Sequence, residues 1–229
     1  MIQSNKKIFF VVIVAALGYF VDIYDLVLFG VVKADSLKVI MPSASVLEQA
    51  AMGKHLFNMQ MLGMLIGGLI WGVLGDKKGR LKVLFGSILL YSIANITNAF
   101  VTDTLSYSLI RIVAGIGLAG ELGAGITLVS EMMSKEKRGY GTMIIVTFGA
   151  LGAVVASLVG STGAGLANLF SNILSFPIAP WQAAYLLGGI MGLTLLLLRV
   201  GTIESNFFNT IKTKESVKKG SFKILFSSR

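Results

Sequence analysis

The sequence predicts an all-α integral membrane protein of six transmembrane helices. Three observations carry that expectation. Of the 229 residues, 55% are apolar and 14% charged, with a mean hydropathy of +0.80; so little polar surface cannot coat a water-soluble globule of this size. Six stretches are long enough to cross a hydrocarbon core of about 30 Å, which takes roughly 20 mainly apolar residues at about 1.5 Å apiece. The basic residues gather in alternate connections, as membrane orientation requires.

Taken along the chain, spans are expected at residues 8–32, 56–74, 83–101, 105–130, 142–170 and 181–198. The first follows Lys6 and Lys7, as in a secretory leader, but its apolar run continues to Val32 without a small-residue cleavage site, so it is expected to remain as a helix. Helix two carries Gly63/Gly67 and Gly68/Gly72, and helix four carries Gly115, Gly117, Gly120, Gly123 and Gly125. Small residues at such spacings let helix backbones approach closely. No charged residue lies between Gly139 and Leu198, a stretch too long for one crossing, and Pro177 and Pro180 divide it into helices five and six.

With the amino terminus inside, the inner segments hold Lys6, Lys7, Lys77, Lys78, Arg80, Lys82, Lys135, Lys137, Arg138, Arg199 and the basic tail, whereas the outer segments hold Lys33, Lys38 and Lys54. Both termini are therefore expected in the cytoplasm of a multi-pass protein of the bacterial inner membrane. The net charge of +9 is explained by that orientation, and no nucleic-acid partner is expected. Residues 1–203 form the membrane domain and 204–229 a basic tail or linker, either along the inner leaflet or in solvent. The sequence has no cysteine and one histidine, His55. Thiolate and His-cluster metal sites are excluded, and no nucleophile–base pair or phosphate loop is present, so neither an enzyme nor a cofactor is expected.

Four ionisable residues fall inside the expected spans: Asp22 and Asp25 in helix one, and Arg111 and Glu121 in helix four. A charge at mid-bilayer costs on the order of 2.5–3.5 kcal/mol by insertion scales, so each needs a partner or a wet cavity. Asp22 and Asp25 share a helical face. Counting rise per residue from either membrane edge puts Asp22 and Arg111 at nearly the same depth. That juxtaposition has two readings: a switch in which protonating the carboxylate releases the arginine, or a static ion pair. For Asp25 an alternative reading is a place in the outer headgroup region, where it needs no partner. Glu121, among glycines, and Tyr24 are expected along a substrate path.

The stretch from Gly72 through Asp76, Lys77 and Gly79 to Arg80 reads as a tight glycine turn carrying cations, with one acid poised to cap or pair locally. It is similar to the pattern G-x-x-x-D-[RK]-x-G-[RK]-[RK] of the major facilitator superfamily. Phe20, Val21, Asp22, Ile23, Tyr24, Asp25 and Leu26 resemble the acidic-aromatic first-helix pattern of the metabolite:proton symporters, E-W-Y-D-F. The run from Arg111 through Gly115, Gly117, Gly120, Glu121 and Gly123 to Glu131, Arg138 and Gly139 is close to that family's fourth helix, and Glu204-Ser205 resembles its E-S motif. Among its branches the chain looks most like the proline/betaine transporters.

The resemblance implies half of a twelve-helix fold, an all-α unit of six transmembrane helices as two inverted three-helix repeats, with helices one and four facing a central cavity and substrate held between two six-helix halves. It implies proton coupling at Asp22, Asp25 and Arg111, a cytoplasmic gate at Gly72, Asp76, Lys77, Gly79 and Arg80, and a cytoplasmic charge cluster of Glu131 and Arg138. The expected function is proton-coupled symport of a small metabolite or osmolyte. The expected partners are the lipid bilayer, protons, substrate, and a second six-helix half or a homodimer. A truncated or split half is anticipated: inactive alone, completed by itself or a separate half, or a membrane interaction partner that transports nothing.

Overall fold

The computed structural model describes residues 2–78, 80–133 and 138–203, with side chains for 12–78, 83–121, 133 and 138–199. All secondary structure among them is helical: α1 (Ile2–Ile40), α2 (Val46–Lys78), α3 (Arg80–Asn98), α4 (Thr104–Met132), α5 (Arg138–Leu174) and α6 (Pro180–Ile203). Among the described residues, Val12–Ile40, Val46–Lys78, Arg138–Leu174 and Pro180–Arg199 are long and apolar enough to cross a bilayer, and the apolar part of α3, Val83–Asn98, is shorter. The expected tail, 204–229, lies outside the described residues.

The helices overrun the expected spans. With 39 residues, α1 extends for about 58 Å, nearly twice a hydrocarbon core. The connection expected over 33–55 is mostly helix, with a turn at 41–45. A capping box fixes the entry to α2: the Ser45 N–H donates to Glu48 Oε2 at 2.7 Å and the Glu48 N–H to Ser45 Oγ at 3.3 Å. Asp103 caps α4, accepting the Ser106 N–H at 2.8 Å. Hydrogen bonds from Ser45 and Ser106 hold the Glu48 and Asp103 carboxyls below their usual values. Both caps therefore support folding at neutral pH, and that support is lost as pH falls through the lowered values.

At the far end of the chain, Ser175 adopts a left-handed φ of 61° that ends α5. Pro180 then takes the first position of α6, where its missing N–H has no helical partner to lose. A bend within α5 centres on Thr162 (φ −112°, ψ 15°). There the Ser161 and Thr162 hydroxyls donate to the Leu158 carbonyl at 3.0 and 2.7 Å and compete with the helical ladder.

Residues 72–78, expected as a turn, are the last turns of α2 instead. A helical glycine costs about 1 kcal/mol, and the apolar run Leu69, Ile70, Trp71, Val73 and Leu74 carries the helix through Gly72.

Helix pairing reproduces the expected internal symmetry. α2 packs along α4 and α1 along α5; α3 lies against α4 and α6, α1 against α6, and α1 meets α4. Exchanging α1–α3 with α4–α6 converts each of these pairs into another or into itself, as an inverted repeat demands. Glycine permits the closest crossings. A Cβ on Gly63 or Gly67 would strike the Ile112 or Ile116 carbonyl of α4, and on Gly152 of α5 the Phe20 carbonyl of α1. Gly68 and Gly72, expected as a packing pair, meet no atom within 4 Å. Gly68 lies five residues beyond Gly63, about 140° around the helix, on an apolar face where Leu65 is 67% exposed.

Gly152→Leu is expected to lower the thermal midpoint of the purified chain and reduce its monodisperse yield, because overpacking costs about 1–3 kcal/mol. Gly68→Leu leaves both at wild-type values in size-exclusion thermostability measurements. Equal damage from the two substitutions would show that Gly152 does not set the α1–α5 distance.

Candidate functional site

The bundle buries five ionisable side chains among its described residues: Asp22 and Asp25 on α1, Arg111 and Glu121 on α4, and Arg199 on α6. They form two clusters at different levels.

Arg111 anchors the first. Its Nη2 donates to Gln60 Oε1 on α2, and its guanidinium carbon lies 4.4 Å from the Phe29 ring centroid and 5.8 Å from that of Tyr185. Both rings stand within cation–π range. Tyr185 shares a 2.8 Å hydrogen bond with Tyr107, which shares one of 3.2 Å with Ser36. Tyr107 also meets Phe29 edge-on. Side chains from α1, α2, α4 and α6 thus fix the guanidinium in position. Its Nε and Nη1 have no hydrogen-bond partner among the described residues. Asp25 is the carboxylate within its electrostatic reach, with Asn95 of α3 alongside.

The second cluster centres on a buried ion pair, Arg199 Nη2 to Glu121 Oε1 at 2.5 Å. Arg199 Nη2 also reaches the Val14 carbonyl of α1 at 3.5 Å. Gly18 opens the face of α1 to this pair, since a Cβ there would collide with Glu121 Oε1 and Arg199 Nη2. Asp22 stands one turn from Gly18 on the same face and feels the charges of both Glu121 and Arg199. Neither Asp22 oxygen has a hydrogen-bond partner among the described residues, nor do Glu121 Oε2 and Arg199 Nη1. Tyr91 of α3 lies within electrostatic reach of Asp22, Asp25 and Glu121, and its hydroxyl donates to the Gly188 carbonyl at 3.1 Å.

This arrangement revises the expected pairing. Arg111 faces Asp25, not Asp22, and Asp22 faces Glu121 and Arg199. The depth count took residue 8 as a membrane edge, whereas α1 runs from Ile2 to Ile40 and its ends mark no edge. Asp25 is accordingly buried rather than near headgroups. Arg199, counted with the inner loops, is only 6% exposed. Its place at the end of an apolar run concealed its burial against Glu121.

Tyr24, expected along a substrate path, packs between α1 and α6, where its hydroxyl donates to the Ala184 carbonyl at 3.0 Å. Asp76 and Lys77 are exposed at the end of α2. Gly79 and the side chains of Arg80 and Glu131 lie outside the described residues; Arg138 is exposed, and its Nε donates to the Met133 carbonyl at 3.1 Å.

A polar stripe on α3 was missed: Ser87, Tyr91, Asn95 and Asn98 are all buried. Their spacing of four, four and three residues puts them on one helical face, and that periodicity was available in the sequence.

An inverted-repeat bundle with charge clusters at its centre is the architecture of secondary transporters. The chain belongs to the Major Facilitator Superfamily, whose family profile matches residues 8–229. It is 32% identical over 162 residues to a Bacillus subtilis protein named as a niacin/nicotinamide transporter, NiaP, covering 71% of this chain and 38% of that protein. It is 27% identical over 214 residues to the benzoate transport protein of Acinetobacter baylyi, covering 91% of this chain and 42% of that one. The chain therefore spans less than half the length of either relative. Among solved structures, it superposes on a bacterial homologue of the human lysosomal transporter Spinster, inward-facing and unoccupied, with a TM-score of 0.75 and 19% identity over 86% of this chain and 43% of that one. That likeness shows the fold.

Arg199→Gln strands Glu121, and loss of one partner from a buried pair costs about 3–5 kcal/mol. The double variant Glu121→Gln/Arg199→Gln is expected to recover more than half of that loss in a double-mutant cycle of unfolding midpoints. Additive losses would show that the two side chains are not coupled.

Proposed function

We propose that this chain supplies the Arg111-bearing half of a proton-coupled transporter for a small aromatic carboxylate. The observation that carries the reading is the Arg111 guanidinium, buried, framed by Phe29 and Tyr185, with Nε and Nη1 unpartnered among the described residues. Each of these groups lies beside Nη2, so one of them, with the Nη2 hydrogen that Gln60 does not take, forms the two-pronged fork that the oxygens of a carboxylate accept, and the flanking rings favour a planar aromatic body. Benzoate and niacin, two of the molecules in the relatives' names, are both aromatic rings bearing a carboxylate, and nicotinamide, the third, has the same ring as niacin with an amide in place of the carboxylate. Neither of these relatives is named for proline or betaine. The osmolyte substrates implied by the resemblance of helix one thus serve as the competing ligands.

Asp25 supplies the coupling. While ionised, it holds Arg111 by charge; once protonated, it leaves the guanidinium to the incoming carboxylate. Proton and substrate anion then move together as a neutral unit. The second half of the site comes from another six-helix unit, either a further copy or a separate chain, joined across the apolar faces of α2 and α5. The end of the bundle bearing Lys77, Lys78 and Arg138 lies in the cytoplasm of a bacterial inner membrane.

Equilibrium binding of labelled benzoate to the full chain in liposomes tests the reading. Binding is expected to strengthen from neutral to mildly acidic pH and to yield to niacin but not to proline or betaine. Arg111→Lys, which keeps charge but loses the fork, weakens it about tenfold or more, equivalent to at least ~1.4 kcal/mol. Asp25→Asn removes the pH dependence. Undiminished binding in Arg111→Lys, or displacement by betaine, overturns the proposal.

A further inference from the structure

The second cluster contains an imbalance that the ion pair alone does not resolve. Asp22 and Glu121 present two carboxylates to one guanidinium, Arg199, inside the bundle. The described residues of the helices packed around them contribute as follows. α1 adds Asp25, which answers Arg111 of α4; α3 adds the phenol of Tyr91. Among the described residues, the ionisable groups of α2 and α5 are not buried. Among the described residues the five buried charges thus sum to three acids against two bases, one negative charge in excess. An uncompensated ion in this environment costs several kcal/mol, and no described cation stands within reach to offset it.

The geometry also shows where compensation must occur. Arg199 spends Nη2 on Glu121 and Val14, while Nη1 faces no acceptor. Asp22, one turn from Gly18, presents both oxygens to the same cluster without a donor, and Glu121 Oε2 is likewise free of one. A guanidinium fork with one arm unused, between two carboxylates on different helices, can serve either of them.

We infer that Asp22 and Glu121 together form a binding site for one exchangeable proton, with Arg199 as their shared counter-ion, separate from the Arg111–Asp25 site. In one state Glu121 is ionised and paired with Arg199 while Asp22 carries the proton. In the other, Arg199 pairs with Asp22 and the proton resides on Glu121. The proton arrives from hydronium at the aqueous face, forms an O–H bond on one carboxylate and leaves by the reverse step. No other bond forms or breaks, and both states are neutral. The site binds a proton whether or not Arg111 takes an aromatic acid, so it stands or falls without any substrate measurement.

Infrared spectroscopy of the full chain in lipid at neutral pH reads the proton directly, through the carbonyl stretch of a buried carboxylic acid. One such acid per chain is expected. Asp22→Asn and Glu121→Gln each abolish the band, because the remaining carboxylate is then matched by Arg199. Arg199→Gln doubles it, since both carboxylates must then be neutral. Glu121→Gln/Arg199→Gln restores one acid, on Asp22, and separates charge balance from misfolding. Carbon-13 labelling of all aspartates, or of all glutamates, tests sharing without any substitution: each label is expected to shift part of the wild-type band. Absence of the band in the wild type, its persistence in both single carboxylate variants, or its loss only in Asp25→Asn overturns the site. A shift with the aspartate label alone overturns the sharing.

Discussion

Ionised groups inside a hydrocarbon-facing bundle must be neutralised locally, and that constraint governs the centre of this structure. Coulomb attraction strengthens as water is excluded, and so does the cost of an unanswered charge. The chain meets the constraint with two arginines from different helices, Arg199 ion-paired with Glu121 and Arg111 within the electrostatic reach of Asp25, and each is held by more than charge alone. Arg111 leans on aromatic faces and a glutamine; Arg199 leans on a carboxylate and on a main-chain carbonyl exposed where α1 has no side chain. The polar face of α3 completes the environment, with Asn95 beside Asp25 and Tyr91 between the clusters.

Holding those groups within reach of one another requires helices that cross closely. Lipid supplies no hydrophobic drive between helices, so packing must come from backbone approach and polar contact. The glycines of α2 and α5 supply it at symmetry-related crossings, α2 on α4 and α5 on α1. α1 and α4 are thereby set at the centre with their acids and arginine inward. Gly18 performs the same service for electrostatics, since the volume of a single methyl group would displace the Glu121–Arg199 pair from the face of α1.

Much of this was legible in the sequence. Hydropathy and the periodic basic residues specified six helices, because lipid imposes length and polarity on each crossing, and the inverted repeats followed from the family resemblance. The charged residues Asp22, Asp25, Arg111 and Glu121 were visible as costly exceptions. Their pairing was not. It depends on the relative height of α1 and α4, and a rise-per-residue count from assumed membrane edges shifted Asp22 into the place of Asp25. Arg199 was hidden by position: at the end of an apolar run, a buried arginine and an interfacial one look alike. Gly68 and Gly72 show the same limit, because spacing marks a small-residue face without showing whether anything in the chain covers it. The polar stripe of α3 was readable, as Ser87, Tyr91, Asn95 and Asn98 keep helical period.

The two clusters are mechanically linked because α1 carries an acid in each. Asp22 and Asp25 lie three residues apart, about 4.5 Å along a rigid helix, and they face different arginines. Any displacement of α1 that brings Asp25 closer to Arg111 also moves Asp22 relative to Glu121 and Arg199, and Tyr91 senses the charge of both acids. The charge of one cluster is therefore felt beside the other through α1 and the Tyr91 phenol. The stiffness of α1 fixes the spacing of the two clusters: the sequence separation of Asp22 and Asp25 sets how far apart the two acids stand along it.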